Sequence, residues 1–153
     1  MKLKKSLAVL LTSLMLLTVS QSAFAAEVTP YAVGVGDTKT QAITIPSTSE
    51  NFSLFLSNSE DKDWYKWTNT TGKDQYLSAF LAPVGNQNAF RLGLQIAYTN
   101  GLETSISYPY YSGPGNSQSH TDVLIPNGAT AYLIVDSTKF VLEQYNLYIR
   151  IHP

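Results

Sequence analysis

The stretch Asp61-Lys-Asp-Trp-Tyr-Lys-Trp67 sets two carboxylates beside three large aromatic rings. Calcium takes about six to eight oxygen ligands, several of them carboxylates supplied by loops. Asp61 and Asp63, within the acidic run Ser59-Glu-Asp-Lys-Asp63, are therefore candidate calcium ligands. The competing expectation is a solvated turn, in which Asp and Asn side chains bond the local backbone. Strand alternation sends Tyr65 and Trp67 to one face, expected to be core, and Trp64 to the other. Trp64 is expected against a loop or half exposed, where it becomes a candidate ligand contact. A second aromatic cluster is Tyr108-Pro-Tyr-Tyr111. Tyrosine offers flat apolar area with a hydroxyl handle, which suits sugars or extended peptides. Tyr108, Tyr110 and Tyr111 are accordingly candidate ligand-binding residues. The alternative is that part of the cluster faces the core and the rest covers a sheet edge, as Pro109 allows.

Catalytic chemistry finds little support. Ser119-His-Thr-Asp122 holds the residue types of a hydrolytic triad. Neighbouring strand side chains point to opposite faces, however, and triads assemble from separate elements. His120 is expected to be structural or solvent-exposed, and no G-x-S-x-G nucleophile elbow occurs. With no cysteine and two histidines, no zinc or copper ligand set is available. Gly34-Val-Gly-Asp37 is too short for a phosphate loop. No pair of carboxylates stands out for glycoside hydrolysis. No catalytic residue is expected.

The elements that position these residues read as strands. Apolar residues alternate over short runs, the period-2 pattern of half-buried strands. The runs are Gln41 to Ile45, ended by Pro46; a run carrying Phe52, Leu54 and Leu56; Trp64 to Thr68; and Gln75 to Pro83, expected to be central. Leu92 to Tyr98 alternates and meets Asn100-Gly101, a strong hairpin-turn signal. Thr104 to Tyr111 is expected to resume as a strand, followed by a Gly-Pro-Gly loop. Thr121 to Ile125 and Ala131 to Val135 flank a Pro-Asn-Gly turn, and Tyr145 to Ile151 closes the pattern. About eight or nine short strands with regular turns imply an all-β fold, an all-antiparallel two-sheet sandwich.

The N-terminus reads differently. Lys2, Lys4 and Lys5 precede an apolar run from Ser6 to Val19, and Ala23-Phe-Ala25 supplies the small residues of a cleavage site. This is the pattern of a secretory signal peptide cut after Ala25, with an apolar run shorter than the ~20 residues that span a bilayer. Residues 26–153 then form one domain, with Ala26 to Thr40 expected to be loosely ordered. Of 10 basic and 11 acidic residues, three lysines lie in the first five positions. The remainder carries 7 against 11, about −4, with no basic run. Binding to nucleic acid or insertion into a membrane is not expected. Without cysteine, stability must come from packing or from a metal.

Asp61-Lys-Asp-Trp-Tyr-Lys-Trp67, the Gly72 turn, the Gln75 to Leu81 strand, the Leu-x-Leu-x-Ile strand and the late Ala-x-Tyr-Leu-Ile-Val strand together resemble the bacterial pre-peptidase C-terminal domain. That family includes the collagen-binding modules of clostridial collagenases. The resemblance spans about Phe52 to Ile151 and implies a jelly-roll sandwich. It departs from the family near the end, where Gly128 precedes Tyr132 by four residues. Some relatives bind calcium through an acid-rich linker plus aspartates near this strand, and the resemblance places Asp61 and Asp63 at the strand-side positions. The linker does not match, because Ala26 to Ser49 holds only Glu27 and Asp37 as acids. The expectation is a secreted, stand-alone, non-catalytic module that binds an extracellular polymer or protein. The alternatives are a structural or interaction protein of the cell envelope, biofilm or a secreted complex, and a small secreted hydrolase using His120 and an acid.

Overall fold

The computed structural model describes residues 34–46 and 48–153. The expected signal peptide and its cleavage after Ala25 lie outside the described residues. Eight strands follow in chain order: β1 (Ile43–Thr44), β2 (Ser49–Phe55), β3 (Asp63–Thr68), β4 (Gln75–Pro83), β5 (Phe90–Ala97), β6 (Gln118–Ile125), β7 (Thr130–Ser137) and β8 (Gln144–His152). They form two four-stranded sheets of order β1-β3-β7-β5 and β2-β8-β4-β6. The fold is an all-β sandwich, as the alternation implies.

Two expectations need correction. The sandwich is not wholly antiparallel, because β1 runs parallel to β3 over two residues. Ile45 adds one further backbone bond to Lys66. Pro46 lacks an N–H and stops the pairing there. The second correction concerns Thr104 to Tyr111, which makes only isolated bridges to β5, Leu94 with Ser107 and Ala97 with Glu103. Side chains take over ladder positions between them. Thr104 Oγ1 accepts the Ile96 N–H at 3.0 Å, and Gln95 Nε2 donates to the Thr104 carbonyl at 2.9 Å. A regular strand cannot form where hydroxyl and amide groups replace backbone partners. With this segment beside β5, the order β2-β8-β4-β6 against β3-β7-β5-segment is that of a jelly roll.

Exposed sheet edges invite unwanted pairing, and the β5 edge is closed with unusual thoroughness. Beyond the bridging segment, Gln118 reaches across from the opposite sheet. Its Oε1 accepts the Leu92 N–H at 2.9 Å and its Nε2 donates to the Phe90 carbonyl at 3.2 Å. One amide side chain thus imitates a paired backbone. His120 Nε2 lies 3.2 Å from the Leu92 carbonyl. Two buried asparagines tie loops together in the same manner. Asn69 donates to the Lys73 and Ile125 carbonyls, and Asn88 donates to Val141 while accepting from Ser137.

The core lies between the sheets. Strand β3 buries Asp63, Tyr65 and Trp67 and turns Trp64 and Lys66 away, as period 2 dictates. Leu77, Leu81, Leu92, Leu133 and Leu147 fill the centre, fully buried. Each such side chain contributes about 1.5–3 kcal/mol on leaving water. Two tyrosines cross the core from opposite sheets. Tyr65 of β3 and Tyr145 of β8 meet with hydroxyls 2.7 Å apart. Phe52 packs on Tyr65 and Phe90 on Tyr145, with ring centroids at 4.8 and 5.3 Å.

Residues 34–40 belong to the stretch expected to be loosely ordered, whose residues 26–33 lie outside the described residues. The Trp64 N–H donates to the Gly36 carbonyl at 2.8 Å, which fastens this segment to β3. Gly36 has φ +92°, and a Cβ there would stand 3.0 Å from the Trp64 carbonyl oxygen. Glycine is required on both counts.

Candidate functional site

Three regions gather candidate functional side chains. The first grows from the start of β3. The turn around Gly36 swings Asp37 toward Asp61 and Asp63, so that one carboxylate oxygen of each lies within 4.8 Å of the others. Asp61 and Asp63 are 8% and 4% exposed. Asp61 accepts the Ser57 and Lys62 N–H groups at 2.6 and 2.8 Å. Asp63 accepts from the Tyr145 hydroxyl. That proton assignment means Tyr65 donates to Tyr145, so a chain of hydroxyls runs from the core to the cluster. Asp37 Oδ2 accepts the Gly34 N–H at 2.7 Å, while its Oδ1 is buried with no partner among the described residues.

Three carboxylates without a cation partner are electrostatically costly. Burial pushes the Asp63 carboxyl up to about 7, against the pull of the Tyr145 hydrogen bond; the charges of Asp61 and Asp37 add to the rise. No described Lys, Arg or His forms an ion pair with any of the three. An all-oxygen set of carboxylates with one orphaned buried oxygen fits a hard divalent cation such as calcium. The acidic turn was legible in the sequence. Asp37 was counted there only as one of two acids in a linker that does not match the relatives' acid-rich one, and the Gly36 turn brings it to Asp61 and Asp63 across a long sequence gap.

The second region is the outer face of the β2-β8-β4-β6 sheet. Strand pairing aligns Asn51, Tyr148, Phe80 and Ser119 in one row across all four strands. The next row holds Ser49, Arg150 and Ser78, and the row beyond it His152, Tyr76 and Leu124. Phe80 and Tyr148 are each 44% exposed and Tyr76 is 39% exposed. Phe80 and Tyr148 rings sit 6.2 Å apart, and Tyr76 stacks on His152 at 5.9 Å. A groove of about 480 Å³ runs across this face between β2 and β6. Sequence reasoning missed it. The signal was present: the outward positions of Gln75 to Pro83 and Tyr145 to Ile151 carry Tyr76, Phe80 and Tyr148 where a solvated face is usually polar.

A β-bulge shapes the edge of this face. Leu77 pairs with Val123 and Ala79 with His120, so Thr121 and Asp122 together oppose Ser78. Asp122 has φ 51°, a conformation non-glycine residues seldom adopt. The bulge leaves both residues exposed. Asp122 Oδ1 accepts from Ser78 Oγ and lies 3.0 Å from His152 Nε2. These are the residue types of a hydrolytic triad in the wrong order, because the carboxylate, not the imidazole, stands next to the serine. His120 is held against the Leu92 carbonyl, and burial lowers its pKa.

The third region is the tyrosine cluster. Tyr108 packs onto the outer face of β5, where a Cβ on Gly93 would lie 2.9 Å from its ring. Its hydroxyl donates to Asp136 at 3.2 Å, and the Arg91 guanidinium lies 4.5 Å from its ring centroid. Arg91 also grips Asp136 through two bonds of 2.7 Å. Tyr110 is 92% exposed, and Tyr111 is exposed beside it. Trp64 lies on the outer face of the same sheet, edge-on to Tyr132 at 6.3 Å. The four residues therefore belong to the β1-β3-β7-β5 side of the molecule, with Tyr108 anchored and Tyr110 and Tyr111 presented to solvent.

The chain matches no protein-family model and no curated protein in sequence. Solved structures do resemble it. A Yersinia pseudotuberculosis-derived mitogen matches at 13% identity and TM-score 0.49, over 71% of this chain and 88% of that one. A periplasmic inhibitor of g-type lysozyme from Aeromonas hydrophila matches at 10% identity and TM-score 0.43, over 72% and 96%. The pre-peptidase C-terminal domain of a Bacillus anthracis collagenase matches at 14% identity and TM-score 0.53, over 71% of this chain and 94% of that one. This chain shares the β-sandwich fold of that pre-peptidase C-terminal domain.

Proposed function

We propose that this protein is a secreted, non-catalytic module that binds an extracellular polymer or protein through the outer face of the β2-β8-β4-β6 sheet. One observation carries the reading: Tyr76, Phe80 and Tyr148 stand exposed on a single sheet face that a groove crosses. Solvated sheet faces carry polar residues, and contiguous exposed aromatic groups mark interaction sites. Asp37, Asp61 and Asp63 would hold a calcium ion, which would neutralise the cluster and fasten residues 34–37 to the start of β3. The ion would act as a structural tie, since the cluster is buried and lies at β3 of the opposite sheet.

The test compares two surfaces. Tyr76→Ala with Tyr148→Ala is set against Tyr110→Ala with Tyr111→Ala, and retention on immobilised collagen, chitin, cellulose and cell wall is measured. Loss confined to the first pair supports this face. Loss confined to the second pair moves the site to the tyrosine loop.

A further inference from the structure

Resting on the reading of this face as a binding surface, we infer that its ligand is a neutral polysaccharide. The first support is the spacing of the rings. Tyr148 and His152 lie four residues apart on β8, as do Tyr76 and Phe80 on β4. At 3.4 Å per residue the two ring pairs are separated by roughly 14 Å along the strands. Pyranose rings have apolar faces that stack on aromatic side chains, and two platforms at this separation suit an extended chain of such rings.

The second support is what lies between the platforms. Arg150 and Ser78 occupy the middle row, and the bulge brings Asp122 against Ser78. Arg150 forms no ion pair or side-chain hydrogen bond with any described residue. Asp122 uses one carboxylate oxygen on Ser78 and His152 and remains largely exposed. A guanidinium and a carboxylate oxygen that each neighbour Ser78 disfavour a strongly charged ligand of either sign. Sugar hydroxyls satisfy both, since each can donate and accept. Asn51, Ser119 and Thr121 extend this array of polar groups along the groove.

The third support separates sugars from peptides. An extended peptide carries an N–H and a C=O at nearly every residue, and these need partners when buried. Peptides find them at sheet edges, where backbone groups are free. Backbone hydrogen bonds lie in the plane of a sheet; β8 and β4 are paired on both sides, and the unpaired groups of β2 and β6 lie along the outer edges of the sheet rather than on its face. Side chains alone are on offer, which is the requirement of a polyol.

The experiment is affinity electrophoresis of the purified protein through gels containing xylan, galactomannan or mixed-linkage β-glucan, with polygalacturonate and gelatin as charged and peptide controls. Retardation by at least one neutral polysaccharide, unchanged in high salt, is the expected result. Tyr148→Ala should weaken it about tenfold, the scale of one lost stacking contact. Arg150→Gln should also weaken it, and Leu102→Ala, on the other side of the sandwich, should not. Melting curves on each variant separate loss of binding from loss of fold. Retardation by polygalacturonate alone, abolished by salt, overturns the inference. Retardation by gelatin alone, lost in Tyr148→Ala, overturns the sugar assignment and preserves the binding face. No retardation in any gel overturns the sugar assignment, and the binding face falls with it if the immobilised matrices also fail to retain the protein.

Discussion

Asp63 shows how one carboxyl can carry opposing demands. Burial and two neighbouring carboxylates favour its protonated form, while Tyr145 favours the charged one. Its folded value of about 7 stands above the ordinary 3.8, so the native state binds a proton more tightly than the unfolded chain. Its contribution to stability is therefore greatest below pH 4 and declines as pH rises through 7, by on the order of 4 kcal/mol. Melting curves in chelator should show Asp63→Asn gaining stability relative to the parent protein as pH goes from 5 to 8. Equal differences at both pH values would refute the assignment. The hydroxyl chain makes a second, paired expectation. Tyr145→Phe leaves Asp63 without its donor and Tyr65 without its acceptor, at a cost of about 1–3 kcal/mol. Tyr65→Phe keeps the Tyr145 to Asp63 bond and should cost less; denaturant melts of the two variants compare them. None of this network could be read from spacing, because Tyr65 and Tyr145 are 80 positions apart.

At the scale of elements, alternation placed the strands well and said little about their margins. Trp64 to Thr68, Gln75 to Pro83 and Tyr145 to Ile151 were legible since a buried face imposes period 2. The segment after Asn100-Gly101 was misread because its backbone pairing with β5 is broken into isolated bridges, with Thr104 and Gln95 side chains filling positions between them that leave no periodic trace. Gln118 is another such case, a polar residue buried for the sake of a neighbouring sheet's edge. Gln118→Ala should destabilise the fold by about 1–3 kcal/mol, since two β5 backbone groups lose their partner. Hydrogen exchange should localise the effect to the Leu92 amide. An unchanged exchange rate there would mean that the edge is closed by other means.

For the whole molecule, the jelly roll was legible from a short aromatic-and-acid pattern, and the exposed aromatic face of the β2-β8-β4-β6 sheet was not. The reason is physical. A core strand announces itself through alternation, whereas a ligand face is an exception to alternation, visible only once strands from distant positions are aligned. The acidic cluster connects the two scales, because it joins residues 34–37 to β3 at the point where Tyr145 arrives from the other sheet. A cation bound only by the native state raises stability by about 2.7 kcal/mol at 100 times its dissociation constant. For a domain of this size that is a rise of roughly 10 °C in melting temperature. Millimolar calcium against chelator should show it, Asp37→Ala should abolish it, and no difference between the two buffers would remove calcium from the picture.

The Tyr65–Tyr145 contact also bears on mechanics. Were the protein held to a polymer on the outer face of β8 and β4, as proposed, drag would load these strands sideways and their ladder bonds would resist together in shear. Tyr145 lies on that loaded strand, and its hydroxyl passes part of the pull through Tyr65 into β3 and the opposite sheet. The two layers then yield as one body, and single-molecule pulling should find one rupture event where a Tyr145→Phe variant shows slippage between layers at lower force.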